Sequence, residues 1–203
     1  MNKKTLWLAL AAVALAAATG WFAYTRYNLF KMQALDQRKV DTSVFIRKQA
    51  AKLTAADFSS AKPGQSQKIF DNLWASVQSP DYVRIKAWDT DYKIVYSNLP
   101  ELIGQRFADN NEVKQALAGE TPLLLEDSED LKAEHFSERE YAELTEAYIP
   151  LMDKEKVFGV IEVYQQTAAL SEAAKAKTTK TVLPVAVVVL AVWAGIALAV
   201  RRV

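Results

Sequence analysis

The chain has 203 residues, 51% of them apolar, with 25 Lys and Arg against 24 Asp and Glu, one His and no Cys. That length holds one or two domains, and a chain without Cys has no disulfide framework. The apolar residues are concentrated: Thr5 to Thr25 is 21 residues without a charge and Thr181 to Val200 is another 20, so all 49 charged residues fall elsewhere. Runs of that kind exclude a collagen-like or disordered chain and argue against a strictly soluble protein.

A helix crosses a bilayer with about 20 apolar residues, at about 1.5 Å rise each, over about 30 Å of hydrocarbon. The first run follows Lys3 and Lys4 and ends on Trp21, Phe22 and Tyr24, side chains that favour the headgroup layer. The second carries Pro184 in its first turn, where a missing N–H costs little, and ends in Arg201 and Arg202. Basic residues at both short ends place the termini in the cytoplasm and the 155 residues from Arg26 to Lys180 outside. The expected organisation is therefore a span at 1–25, an extracytoplasmic domain at 26–180, and a second span with a short tail at 181–203. The alternative for the first run is a cleaved signal peptide, with a basic start and small residues near Ala16 to Ala18, which exports the same domain. Both runs carry small residues four apart, Ala12, Ala16 and Gly20 and then Ala191, Gly195 and Ala199, a spacing that lets helix backbones approach.

Tyr27 to Phe58 has no Gly or Pro and is rich in Ala, Leu, Gln, Lys and Arg, so one long helix is expected over 27–58. Leu35, Val40, Val44, Ile46 and Leu53 form its imperfect apolar stripe, a surface for packing on the domain or for pairing with a second copy. A turn at Pro63 and Gly64 precedes a helix over 67–77, which Ser79-Pro80 stops. The period then changes to two. Tyr82 to Trp88 reads as a strand, Asp89 to Tyr92 as a turn, and Lys93 to Ser97 as the return strand with Ile94 and Tyr96 on one face. Leu102 to Phe107 reads as a short helix. Asn110 or Asn111 caps another over 112–118, and Gly119 ends it. Strands follow at 121–126, 142–152 and 157–165, the last two joined through Asp153 to Lys156. The sum is α+β: a long N-terminal helix and a five-stranded antiparallel sheet with its core at 82–165, flanked by two membrane helices.

Glu126 to Glu146 holds nine acidic residues, two basic ones and His135, and reads as a solvated flap in which Ser137-Glu138-Arg139-Glu140 resembles a helix start. It lacks the Gly and the spacing of a calcium loop, so Glu126, Asp127, Glu129 and Asp130 are not expected to hold a metal. With one His, no Cys, no phosphate loop and no dinucleotide fingerprint, the chain is expected to be no enzyme and to take no cofactor. No nucleic-acid partner is expected. Polar groups set in apolar strands point instead to binding. Glu146 and Tyr148 lie two apart on one strand face, Glu162 and Tyr164 lie on the next strand, and Trp88, Asp89, Tyr96 and Ser97 end the first hairpin. Aromatic walls with a few carboxylates and hydroxyls suit a small polar or cationic ligand.

The succession Arg84-Ile85-Lys86-Ala87-Trp88-Asp89, Ile94-Val95-Tyr96-Ser97-Asn98, Leu102-Ile103-Gly104-Gln105-Arg106-Phe107, Ala116-Leu117-Ala118-Gly119, Glu146 to Leu151 and Val157 to Tyr164 resembles the single Cache domain. This is the extracytoplasmic PAS-like sensor of bacterial histidine kinases, diguanylate cyclases and chemoreceptors. The resemblance implies a small-ligand pocket on one face of a five-stranded sheet in the periplasm, anchored in the bacterial inner membrane, and a sensor that moves its helices. It supplies no ligand motif. Family members usually continue past the second span into a HAMP, kinase or cyclase module, whereas three residues follow Val200 here. The expectation is a sensor that signals through its membrane helices to a separate kinase or cyclase partner. The alternatives are a truncated remnant of such an enzyme and a structural or interaction protein of the envelope.

Overall fold

The computed structural model of the chain describes residues 3–59, 65–127 and 143–202. The expectations for His135, for Glu129 and Asp130, for the helix start at Ser137 and for the turn at Pro63 and Gly64 lie outside the described residues. The chain divides into two units, Met1–Asp36 with Ala169–Val203, and Gln37–Ala168.

The first unit is helical. It contains most of α1 (Lys3–Gln49) and nearly all of α5 (Ala168–Arg202). Two helices among the described residues are long and apolar enough to cross a membrane, and large side chains such as Trp7, Trp21, Val188 and Leu190 point outward from them. Because α5 starts at Ala168, Pro184 lies well inside the helix rather than in its first turn. It therefore withdraws one intrahelical hydrogen bond there. Ala12, Ala16 and Gly20 of the first small-residue stripe line a groove of about 420 Å³ with Ala186, Val189 and Trp193. The second stripe does not line it. Past the apolar stretches, cations lie over rings: Arg26 over Phe22 at 5.2 Å and Lys177 over Phe30 at 4.5 Å.

The second unit is built on a sheet of β1 (Tyr82–Trp88), β2 (Ile94–Ser97), β3 (Leu123–Asp127), β4 (Glu143–Asp153) and β5 (Lys156–Gln166). Its spatial order is β2-β1-β5-β4-β3, and every neighbouring pair is antiparallel. The five strands fall where the period-two reading puts them. The β4–β5 turn is the two residues Lys154 and Glu155, with Lys154 at φ 56°, and a bulge between Leu151 and Met152, which leaves Phe158 as the extra residue, then sets Tyr148 opposite Glu162. β3 pairs with β4 only as far as Ala147, so Ile149 to Asp153 has a strand on its β5 side alone among the described residues.

One face of the sheet carries the larger core. Ile85, Ala87, Ile149, Ile161 and Val163 pack against Ile46 and Ala50, against Phe58 of α2 (Ala55–Phe58), and against Phe70, Leu73 and Val77 of α3 (Gln65–Val77). The Phe58 ring packs edge-on to both Phe70 and Phe158, and it covers Gly159 so closely that a Cβ there would overlap it. On the other face, α4 (Asn111–Leu117) lays Val113 and Ala116 on Trp88, Ile94, Tyr148 and Val160. Asn110 caps α4 by accepting from the Val113 amide at 2.8 Å, and Gly119, at φ 94°, follows it.

Three further expectations are corrected. The long helix ends at Gln49 rather than Phe58. A single 3₁₀ turn follows at Ala50–Lys52, and Thr54 with Asp57 forms a capping box that starts α2 as a separate helix. The buried side of α1 is Thr42, Ser43 and Ile46, while Val40 and Val44 of the expected stripe are exposed. Leu102 to Phe107 is not helical: only Pro100–Leu102 makes a 3₁₀ turn, Gly104 turns at φ 90°, and Arg106 bridges to Lys93.

Candidate functional site

The face beneath α4 holds a polar network that begins with strand alternation. Register places Lys86, Glu162 and Tyr148 in one row across β1, β5 and β4, and Arg84, Tyr164 and Glu146 in the next. Directly opposed residues share a face, so four charged side chains and two tyrosines converge on the sheet. Lys86, Glu146, Tyr148, Glu162 and Tyr164 are all 0% exposed.

Seven side chains form one unbroken run of hydrogen bonds. Glu162 accepts from Trp88 Nε1 at 2.5 Å on one oxygen and from Lys86 Nζ at 3.1 Å on the other. Lys86 Nζ also donates to the Tyr164 hydroxyl at 2.8 Å and lies 4.6 Å from the centre of that ring. The Tyr164 hydroxyl donates to Glu146 Oε1 at 2.7 Å, and Tyr148 donates to the same oxygen at 2.5 Å. Asn110 Nδ2 reaches the Tyr148 hydroxyl at 3.4 Å while its Oδ1 caps α4, so the run ends on a helix terminus.

Charges taken out of water are expensive unless paired and hydrogen-bonded. The Lys86–Glu162 ion pair meets both conditions. Burial, with the neighbouring carboxylates of Glu146 and Glu162, holds the Tyr148 hydroxyl well above the ordinary tyrosine range, so it stays a donor.

Five of the eight expected site residues, Trp88, Glu146, Tyr148, Glu162 and Tyr164, meet in this network. The other three make their contacts elsewhere. A bulge between Ala87 and Trp88 makes Val95 the extra residue of β2 and puts Ile94 and Tyr96 on opposite faces, against the alternation read from the sequence. Tyr96 therefore stacks on Phe70 at 5.2 Å in the larger core. Ser97 lies opposite Lys86 and is buried, but its hydroxyl accepts from the Leu99 amide at 3.0 Å. Asp89 accepts from the Asp91 and Lys93 amides at 2.8 and 3.0 Å and shapes the turn. It lines a separate cleft of about 450 Å³ with Phe58, Asp153 and Phe158. Sequence reasoning missed Lys86 and Asn110. The available signal for Lys86 was its place two residues before Trp88 in an alternating strand, on the same face.

No family model matches the chain, and no curated protein does. Among solved structures, the chain is similar to an extracellular ligand binding receptor from Desulfohalobium retbaense DSM5692, at TM-score 0.41 and 14% identity over 72% of this chain and 26% of that one. It is also similar to an RNA-binding light-oxygen-voltage receptor, at TM-score 0.32 and 14% identity over 90% of this chain and 69% of that one. The chain thus spans about a quarter of the first receptor's length. Likenesses at these scores assign neither family nor function.

Proposed function

We propose that this chain is a membrane-anchored, PAS-like extracytoplasmic sensor domain. A small polar ligand would be read at the network centred on Lys86, Glu162, Tyr164 and Glu146. One observation carries the reading: four charged or phenolic groups, fully enclosed, cross the three central strands on the face opposite the main core. A domain of this size gains little stability from such groups compared with an apolar filling, and buried titratable clusters concentrate at functional sites. The five-stranded sheet fits the Cache-like resemblance, and two apolar helices fit a membrane anchor. The signal would leave through those helices to a separate kinase or cyclase partner, and the chain itself would catalyse nothing. Calorimetry of the full chain in nanodiscs against organic acids, amino acids and amines tests this. Binding that Glu162→Gln and Tyr164→Phe abolish is the expected result. Silence across the three classes would sink it.

A second reading is an envelope interaction module with a filled interior. The observation favouring it is that the network's members already hydrogen-bond one another and leave none of these side chains exposed. The same titrations separate the two.

A further inference from the structure

The reverse side of the two strands that carry the network is tied to α1. Side chains alternate along a strand, so Thr145 and Gln165 point away from their neighbours Glu146 and Tyr164, toward the helix. There Arg38 Nη1 donates to Thr145 Oγ1 at 3.2 Å and to the Gln166 carbonyl at 2.8 Å. One turn on, Thr42 Oγ1 donates to Gln165 Oε1 at 2.8 Å. Thr145 Oγ1 also donates to the Gln165 carbonyl at 3.3 Å, and Thr42, Thr145 and Gln165 are all buried. Register pairs Glu146 with Tyr164 and Thr145 with Gln165. Two adjacent cross-strand pairs therefore hold the network on one face and the helix on the other.

Apolar side chains would have sufficed to dock α1, as Ile46 does one turn on. Hydrogen bonds differ from apolar contacts because they are directional and lose strength steeply with misalignment. A helix held by them registers small changes in the strands beneath, where an apolar face tolerates them. The clamp also sits at the point where β5 ends at Gln166 and the chain enters α5 at Ala168.

We infer that Arg38, Thr42, Thr145 and Gln165 are positioning residues that couple the network to α1. A change in the Glu146–Tyr164 contact alters the spacing of β4 and β5 at that pair. Thr145 and Gln165 ride on the same backbone and carry the change to Arg38 and Thr42. The inference rests on reading the network as the sensing site.

The test uses the full chain in nanodiscs. Tyr164→Phe and Glu146→Gln alter only the network face, and they are expected to change amide hydrogen exchange over Gln37 to Gln49 by about threefold or more. In the reverse direction, Arg38→Met and Thr42→Val are expected to shift the indole N–H resonance of Trp88, assigned with Trp88→Phe. Thr42→Ser, which keeps the hydroxyl, should restore it. A residue that merely docks α1 would lower stability and leave that resonance in place. Arg38→Lys serves as a milder variant if Arg38→Met does not fold. Unchanged α1 exchange together with an unmoved Trp88 resonance overturns the inference. A ligand that shifts the Trp88 resonance but not α1 exchange overturns the coupling and leaves the sensing reading intact. Coupled variants with no ligand found count for the coupling and against the sensing reading.

Discussion

Lys86 and Glu162 face each other across β1 and β5 with 3.1 Å between ammonium and carboxylate, both fully enclosed. Both are shut off from bulk solvent, so each depends on the other and on the donors and acceptors around them. Removing one partner leaves an uncompensated buried charge. Lys86→Met is therefore expected to cost about 3–5 kcal/mol. Glu162→Gln leaves Lys86 as the uncompensated charge and offers one acceptor oxygen to the two donors, so it should cost a similar amount. Combining Lys86→Met with Glu162→Met should recover part of the loss, because no isolated charge remains. Urea denaturation of the three variants checks the ranking.

Gly159 is required by packing rather than by backbone conformation. Phe58 covers it, and the ring is held edge-on by Phe70 and Phe158, so it has no room to retreat. Gly159→Ala should destabilise by about 1–3 kcal/mol, the usual cost of overpacking. Adding Phe58→Leu should be less than additive with it. Denaturation midpoints of the two single variants and the double variant decide the matter.

Tyr148 predicts the alkaline limb of stability. Its folded pKa is raised by burial first and by Glu146 and Glu162 next, above the unfolded value of about 10. A group shifted in that direction contributes its full stability below about pH 10 and loses it as pH climbs through the folded value. Tyr96 is raised as well, by burial and by Asp71. The wild type should lose stability steeply above about pH 10, and Tyr148→Phe should flatten that limb without abolishing it. Thermal midpoints between about pH 8 and 11.5 measure this, and identical alkaline limbs would count against the assignment.

Asn110 serves two structures at once, capping α4 and touching the Tyr148 hydroxyl. Asn110→Ala should cost about 1 kcal/mol from the cap alone. Asn110→Ser, which keeps a capping oxygen, should recover most of that, as read by denaturation.

The parts of the fold that local chemistry dictates were readable in advance. Alternation marks the strands, Asn110 and Gly119 bracket α4, and a short polar link between apolar runs marks the β4–β5 hairpin. The parts set by long-range contact were not. Val40 and Val44 look like the packing side of α1, yet the buried side is Thr42 and Ile46, because Thr42 finds an acceptor at Gln165, 123 residues away. The bulge that separates Ile94 from Tyr96 leaves no mark on a four-residue strand. Lys86 reads as a solvent-facing charge until Glu162, 76 residues on, is brought opposite it. Glu146, Tyr148, Glu162 and Tyr164 were legible for the opposite reason, since polar groups inside strongly apolar strands contradict their surroundings.

Pro150 occupies the stretch of β4 that β3 leaves uncovered. The Tyr148 amide points outward there, donating to the Pro122 carbonyl, and two residues on the next outward position belongs to Pro150. Proline brings no hydrogen to that position, so the rim of the sheet offers a passing strand no continuous row of donors. At high local concentration this matters: domains can crowd side by side without zipping into fibrils.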